Sequence, residues 1–401
     1  MVALSCVFVF VIGSCVGSFL NVLIYRLPRH ISIVRPGSYC PKCNHPIIWY
    51  DNIPLLSWLL LRRLCRHCGQ SISATYPLVE LVTATLFTLL YAAYMVIGLR
   101  EDMPPFASGP GPADWAVLAL HLWLIAALLA ASVIDLRLSI IPLSITSLTA
   151  GVALVLHGLF PQPMLWPVSG STAGLTIGGC LGLIISAVLL RLGIFRATFQ
   201  LAAESGFVRG SRPRRQKRTH CSVVSNRQES SAIAPAAINP RVEIMHEILY
   251  LIPAIALGIV GWFVASADTS LALLWKALTG NGHFNALIGS LFGLLVAGGI
   301  VWLTRILGTL AFGREAMGLG DVHLMAAAGA VLAWLGPVLA FFIAPFFGLL
   351  AAILIAVRHR RGELPYGPWL SLGLLTVMLF QDKIWAYLKP GLEGAWQLLA
   401  G

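Results

Sequence analysis

The sequence predicts an all-α polytopic membrane protein with roughly ten transmembrane helices and a small cytoplasmic zinc-binding domain. Three observations lead to this fold class. Hydrophobic residues make up 58% of the 401 residues and charged residues only 11%, whereas soluble domains carry about a quarter charged residues. Apolar runs of about 20 residues, the length of a membrane-spanning helix, recur along the chain. Four cysteines stand in two close pairs within one basic loop.

Each predicted span is an apolar run bounded by charged residues, glycine or proline. The predicted helices are 2–24, 77–98, 114–134, 144–160, 171–193, 247–265, 284–310, 322–336, 338–357 and 367–388. The first segment lacks a charged n-region and a small-residue cleavage site. We therefore expect it to stay as a membrane helix and not to be a signal peptide.

The basic residues predict how these helices are oriented. Arginine and lysine cluster in the stretches 25–75, 194–246 and 358–361, whereas the connection 101–114 is acidic. The positive-inside rule places the basic stretches in the cytoplasm. We therefore expect a multi-pass membrane protein, with the lipid bilayer as its environment.

The stretch 194–246 is rich in Ser, Arg, Pro, Ala and Gln and has no sustained apolar period. This composition predicts a mostly disordered linker. Binding of nucleic acid by its arginines is the alternative. It is disfavoured because no aromatic residues are interleaved with the basic ones and because the stretch lies between spans. We expect no nucleic-acid partner.

The paired cysteines predict a metal site. Cys40, Cys43, Cys65 and Cys68 form two C-x2-C pairs separated by 21 residues. Two short loops that each present two thiolates can complete a closed tetrahedral zinc site. A redox pair is the alternative, disfavoured in the reducing cytoplasm. Because four protein ligands leave no open position, we expect a structural zinc that folds a domain too small to bury a sufficient core.

Two aspartates adjoin predicted membrane helices: Asp135, and Asp321 in the run Gly318-Leu319-Gly320-Asp321. A carboxylate in such a place is costly and is usually kept for a function. The predicted orientation puts both at cytoplasmic membrane edges. Two adjacent carboxylates share a proton, so one can activate a water while the other donates to a carbonyl, as in aspartic proteases. Gly318 and Gly320 would let an extended substrate approach closely.

Composition alone leaves a second interpretation of the aspartates open. Each could cap a helix or pair with a nearby base such as Arg137. An ion or proton transporter is a further class, but it would need carboxylates near the bilayer midplane. Asp135 and Asp321 are predicted at the membrane edge instead.

Five segments together resemble the type IV prepilin peptidases, a family of membrane aspartyl proteases with a G-x-G-D motif. These segments are 17–28, 49–58, 76–81, 313–321 and 364–368. The resemblance implies a bifunctional enzyme with its active site at the cytoplasmic face. It would cleave the leader of type IV prepilins and pseudopilins after a glycine and then methylate the new N-terminus with S-adenosylmethionine.

The resemblance also implies residue roles. Asp135 and Asp321 match the catalytic aspartates, and the four paired cysteines match the zinc ligands. No glycine-rich nucleotide loop is visible, so the residues that bind the methyl donor stay unassigned. A peptidase without methyltransferase activity, and a non-catalytic zinc-containing scaffold for pilus or secretion assembly, are the alternatives.

The helices and the resemblance together predict five regions. Residues 1–24 form the first helix, 25–76 the zinc domain, and 77–160 the first part of the peptidase core. Residues 161–283 form an insertion with two extra helices around the linker, and 284–401 the second part of the core. Since the insertion adds an even number of spans, it leaves Asp321 on the cytoplasmic side. We expect the linker to be dispensable for cleavage.

Overall fold

Apolar helices dominate the part of the chain that the structure describes. The computed structural model describes residues 2–100, 105, 108–161, 168–195, 240–267, 270–357 and 365–400. The predicted linker falls mostly outside these residues. Within them, extended pairing is limited to two isolated β-bridges, Tyr39 with Pro46 and Leu64 with Ser71.

The helices follow the predicted segments closely. Their bounds are Val2–Arg26 (α1), Leu56–Leu60 (α2), Thr75–Tyr91 (α3), Pro112–Leu138 (α4), Leu143–Leu159 (α5), Gly170–Arg191 (α6), Pro240–Ser266 (α7), Ser270–Gly280 (α8), Gly282–Phe312 (α9), Leu319–Leu332 (α10), Leu335–Val357 (α11) and Gly367–Ala400 (α12). The short helices α2 and α8 lie outside the predicted spans.

Seven of the described helices, α1, α3, α4, α6, α7, α9 and α11, are long and apolar enough to cross a membrane. Helices α5 and α10 have only 17 and 14 residues, or about 26 and 21 Å against a hydrocarbon core of about 30 Å. Ten of the residues of α10 are buried, so it is enclosed by other helices. Helix α12 is kinked at Phe380. Apolar composition therefore marks both spanning and enclosed helices.

Glycines bring α9 and α10 into backbone contact. A methyl group placed on Gly293 of α9 would lie 2.2 Å from the carbonyl oxygen of Gly329 in α10. The reverse substitution would clash equally, at 2.1 Å from the Gly293 oxygen. Small residues at such crossings let membrane helices approach closely. This contact seats α10, which carries Asp321, against the long helix α9.

The ends of several helices meet at one end of the bundle. Asn21, near the end of α1, donates a hydrogen bond of 3.0 Å from Nδ2 to the carbonyl oxygen of Tyr76, at the start of α3. Asp135, near the end of α4, contacts Gly367 at the start of α12. The zinc domain connects α1 to α3 at this same end. It is the end that the charge pattern predicts to be cytoplasmic.

Candidate active site and metal centre

Asp135 lies inside the last turn of α4, where its side chain is only 6% exposed. The sequence predicts that the helix stops at 134, but it runs on to Leu138 and ends at Ser139, which has a left-handed φ of 53°. The backbone N–H of Gly367 donates a 3.1 Å hydrogen bond to Oδ2 of Asp135. The carboxylate therefore faces the start of α12 and not solvent.

Asp321 lies in the first turn of α10 and is 8% exposed. The helix begins at Leu319, earlier than the predicted 322, after the extended residue Gly318. The N–H of Asp321 donates to the carbonyl oxygen of Gly318 at 3.2 Å. A negative charge in the first turn is favoured by the helix dipole. Among the described residues, neither Asp321 nor Asp135 forms an ion pair.

Ile141 lies beside Gly320, which precedes Asp321, and beside Gly367, which contacts Asp135. A methyl group placed on Gly320 would lie 2.9 Å from Cβ of Ile141, and one on Gly367 would lie 3.3 Å from its Cδ1. The same methyl on Gly367 would lie 2.7 Å from Oδ2 of Asp135. The negative charges of Asp135 and Asp321 repel each other. Two buried carboxylates thus lie in one region of the bundle, with the Ile141 side chain packed against Gly320 and Gly367 beside them.

Tyr366 borders this site from the segment before α12. Burial, and then the negative charge of Asp321, raise the pKa of its hydroxyl to about 12. The hydroxyl therefore stays protonated at neutral pH and can donate a hydrogen bond near Asp321. Sequence reasoning singled out 364–368 only as a resemblance and did not predict this proximity, because 45 residues separate Tyr366 from Asp321.

The four paired cysteines form one cluster. The Sγ atoms of Cys40, Cys43, Cys65 and Cys68 lie within 4.8 Å of one another, and Cys40 and Cys68 are 4.0 Å apart. Zinc–sulfur bonds of 2.3 Å in a tetrahedron place sulfurs roughly 3.8 Å apart. The cluster can therefore hold zinc with little adjustment.

The two cysteine pairs have the same backbone geometry. In the first pair, the N–H of Cys40 donates to the carbonyl oxygen of His45, and the N–H of Asn44 donates to that of Cys40. In the second pair, the N–H of Cys65 donates to the carbonyl oxygen of Gln70, and the N–H of Gly69 donates to that of Cys65. Asn44 and Gly69 both have positive φ, at 56° and 64°. This repeated turn lets each pair present two sulfurs to the same point.

The N–H groups of Cys68 and His67 point at the sulfur of Cys65 and lower its pKa to about 7. Thiolate is the form that binds a metal. His45 and His67 stack on each other, with ring centroids 3.4 Å apart, and do not belong to the cluster.

A cavity of about 400 Å³ lies between the zinc domain and the adjoining ends of α1 and α3. Tyr25, Tyr76 and Glu80 are among its lining residues. Oε2 of Glu80 accepts a 2.8 Å hydrogen bond from the N–H of Leu55, and Glu80 forms no ion pair within the described part of the chain. A volume of this size suits a small organic ligand.

Two family models match the chain in separate segments. The bacterial peptidase A24 N-terminal domain matches residues 11–94. The type IV leader peptidase family matches residues 247–353. The first segment holds the cysteine cluster and the cavity, and the second holds Asp321. Asp135 lies between the two.

Curated relatives that match the chain share one name, which combines a peptidase and a methyltransferase. The prepilin leader peptidase/N-methyltransferase of Myxococcus xanthus is 47% identical over 153 residues, 38% of this chain and 40% of that protein. The protein of that name from Aeromonas hydrophila is 26% identical over 94% of this chain and 91% of its own length. The chain therefore carries segments that match the A24 N-terminal domain and the type IV leader peptidase domain, and it is similar along nearly its whole length to the A. hydrophila protein.

The matches to this family differ in extent. The alignment with the M. xanthus protein, like that with the Klebsiella pneumoniae one, spans about two fifths of the relative. The Aeromonas alignment runs nearly end to end along both proteins. No solved structure matches the chain.

Replacement of Cys65 by serine tests the metal centre. We expect bound zinc in the purified protein to fall from about one ion per chain to a small fraction of that, because three thiolates cannot close a tetrahedral structural site. Atomic absorption on detergent-solubilised protein measures it. Cys180→Ser, in α6 and outside the cluster, is the matched control and should keep the zinc. Equal zinc in both variants would contradict the assignment.

Proposed function

We propose that this protein is a membrane aspartyl endopeptidase with N-methyltransferase activity. It cleaves the leaders of type IV prepilins and pseudopilins after a glycine at the cytoplasmic face of the inner membrane, and then methylates the new N-terminus. The observation that carries the proposal is the buried, ion-pair-free couple of Asp135 and Asp321. The names of the relatives support the substrate class, and the basic stretch 25–75 at the same end of the bundle supports the side.

In this proposal the two carboxylates share one proton, since neighbouring buried like charges resist joint ionisation. The ionised aspartate takes a proton from water, and the resulting hydroxide adds to the scissile carbonyl carbon. The protonated aspartate donates to the carbonyl oxygen. The tetrahedral carbon then expels the amine, which takes the proton that the first aspartate removed from water, while a hydroxyl proton of the intermediate returns to the second aspartate as the carbonyl re-forms. The N–H of Gly367 holds Asp135 in place through these steps.

The substrate must reach the aspartates as an extended chain. Gly318 and Gly320 precede Asp321, and Gly367 contacts Asp135. In this proposal the peptide passes beside Gly318, where an added side chain would meet only Asp321 and Gly320 at ordinary contact distance, whereas Gly320 and Gly367 already pack against Ile141 and Asp135. The Tyr366 hydroxyl is placed to donate a hydrogen bond at this entrance.

The cavity beside the zinc domain fits S-adenosylmethionine, which supplies an electrophilic methyl group when bound. Glu80 offers a buried carboxylate to a cationic sulfur, and Tyr25 and Tyr76 offer aromatic faces, which attract cations. We propose that these three residues hold the methyl donor. The zinc ion is structural in this proposal and keeps the wall of the cavity folded.

Replacing Asp135 or Asp321 by asparagine tests the peptidase. We expect either variant to lower kcat/KM for a prepilin-like peptide by about a thousandfold, because the amide cannot exchange the proton. Cleavage by purified, folded protein in detergent is the measurement. The control is Asp114→Asn at the opposite end of α4, which should cut normally. If the site variants cut as well as the control, the protein is a scaffold or uses another catalyst.

The Gly367→Ala variant tests the geometry of the same site. The added methyl would lie 2.7 Å from Oδ2 of Asp135, so the carboxylate or the start of α12 must shift. A displacement of about 1 Å costs on the order of a hundredfold in rate. Gly299→Ala, whose methyl meets open space, is the control and should cut at the wild-type rate. Equal rates for the two variants would show that α12 does not position Asp135.

The Glu80→Gln variant tests the methyl-donor site. Glutamine keeps the acceptor for Leu55 but removes the charge. We expect the affinity for S-adenosylmethionine to fall about tenfold or more, some 1.4 kcal/mol, and the affinity for uncharged-sulfur S-adenosylhomocysteine to change little. Calorimetric titration of both ligands measures this, and peptide cleavage should persist. The control is Asp114→Asn, a carboxylate at the opposite end of α4 that does not line the cavity. Unchanged affinity for both ligands would place the donor elsewhere.

A further inference from the structure

We infer that a buried ion pair between Arg305 and Glu247 positions the chain segment that leads into Asp321. Helix α7, which carries Glu247, is then part of the peptidase core. The inference rests on the proposed peptidase function and assigns two positioning residues to it. Neither residue touches the proposed substrate path, so each acts through the segment that it holds.

The ion pair is fully enclosed between two helices. The side chain of Arg305, in α9, is 0% exposed and that of Glu247, in α7, is 2% exposed. Nη2 of Arg305 lies 2.9 Å from Oε1 of Glu247, and Nε lies 3.2 Å from both carboxylate oxygens. The indole N–H of Trp302 donates to Oε2 of Glu247 at 2.9 Å. The carboxylate is thus fixed from two directions.

The other edge of the guanidinium holds the segment before Asp321. Nη1 of Arg305 donates to Oε1 of Glu315 at 2.6 Å and also to the carbonyl oxygen of Met317. The N–H of Ala316 donates to Oγ1 of Thr309 at 3.2 Å. Three consecutive residues, 315–317, are therefore tied to α9. The next four residues are the G-x-G-D motif.

Energetics favour a positioning role for this pair over a purely stabilising one. An isolated guanidinium in an apolar interior is costly, and the attraction in a buried pair does little more than offset that cost. Apolar side chains would serve stability at least as well. What an arginine adds is a planar donor that can bind a carboxylate and a backbone oxygen at once. The positive charge of Arg305 also stabilises the ionised form of Asp321.

The ion pair indicates that part of the region 161–283, which the sequence predicts to be an insertion, belongs to the peptidase core. Glu247 lies within that region, yet it completes the surroundings of Arg305. The match to the type IV leader peptidase model begins at residue 247. We therefore separate the region into a linker that cleavage does not need and a helix that it does need. The part of this region that can be deleted without loss of cleavage therefore ends before α7.

The test compares kcat and KM for cleavage of a prepilin-like peptide by full-length variants. We expect Glu247→Gln to lower kcat by about tenfold to a hundredfold with KM nearly unchanged, since the segment carrying Asp321 loses its anchor. Arg305→Lys keeps the positive charge but lacks the planar guanidinium, so its kcat should lie between the kcat of wild type and that of Arg305→Met. Glu243→Gln, one turn earlier in α7, is the matched control and should retain kcat. A shortened linker within 196–239 should also retain it.

Several outcomes are decisive. Rates are normalised to folded protein by the helical circular dichroism of the detergent-solubilised protein, so a variant that only unfolds loses helix in proportion to activity. Glu315→Gln, partly exposed outside the helices, tests the same anchor should Glu247→Gln fail to fold, with an expected fall in kcat of several-fold. Wild-type kcat in Glu247→Gln and Glu315→Gln would overturn the inference. If wild type and Asp321→Asn cut equally, the proposed peptidase function itself fails.

Discussion

The cost of burying two carboxylates at the edge of an apolar helix bundle constrains the rest of this structure. Asp135 and Asp321 are both under a tenth exposed, and such groups persist only where the surroundings hold them. Asp135 receives a backbone N–H from the start of α12, and Asp321 sits in the first turn of α10. Three helix ends must therefore meet at one point, which fixes how α4, α10 and α12 pack.

Close packing supplies the rigidity that this meeting point needs. The glycine contact between α9 and α10 leaves no room for sliding, and Arg305 ties the intervening segment back to α9. The helix that carries Asp321 is consequently short and enclosed instead of facing lipid. A membrane-facing helix of 14 residues would not reach across the bilayer. Its shortness is tolerable because its neighbours, and not lipid, surround it.

Local patterns in the sequence predicted much of the fold, and long-range contacts account for what they missed. Apolar runs located most helices within a few residues, and cysteine spacing located the four-cysteine cluster. Two bounds were wrong: α12 runs to Ala400 instead of 388, and α7 begins at Pro240, inside the predicted linker. The end of α4 was misplaced because Ser139 stops the helix by a backbone conformation that composition does not reveal. Glu247 was overlooked because its partner is 58 residues away. Apolarity also cannot separate a spanning helix from an enclosed one such as α10.

The two proposed activities share one end of the molecule. Arg137, two residues beyond Asp135, acts electrostatically on Tyr76, which lines the cavity beside the zinc domain. The cavity and the carboxylate pair therefore adjoin the same helix end. A cleaved substrate presents its new amine at the carboxylates, and a short movement along this face would bring that amine to the cavity. In this proposal the zinc domain, whose four cysteines form one cluster, supplies a wall of the cavity at that end of the molecule.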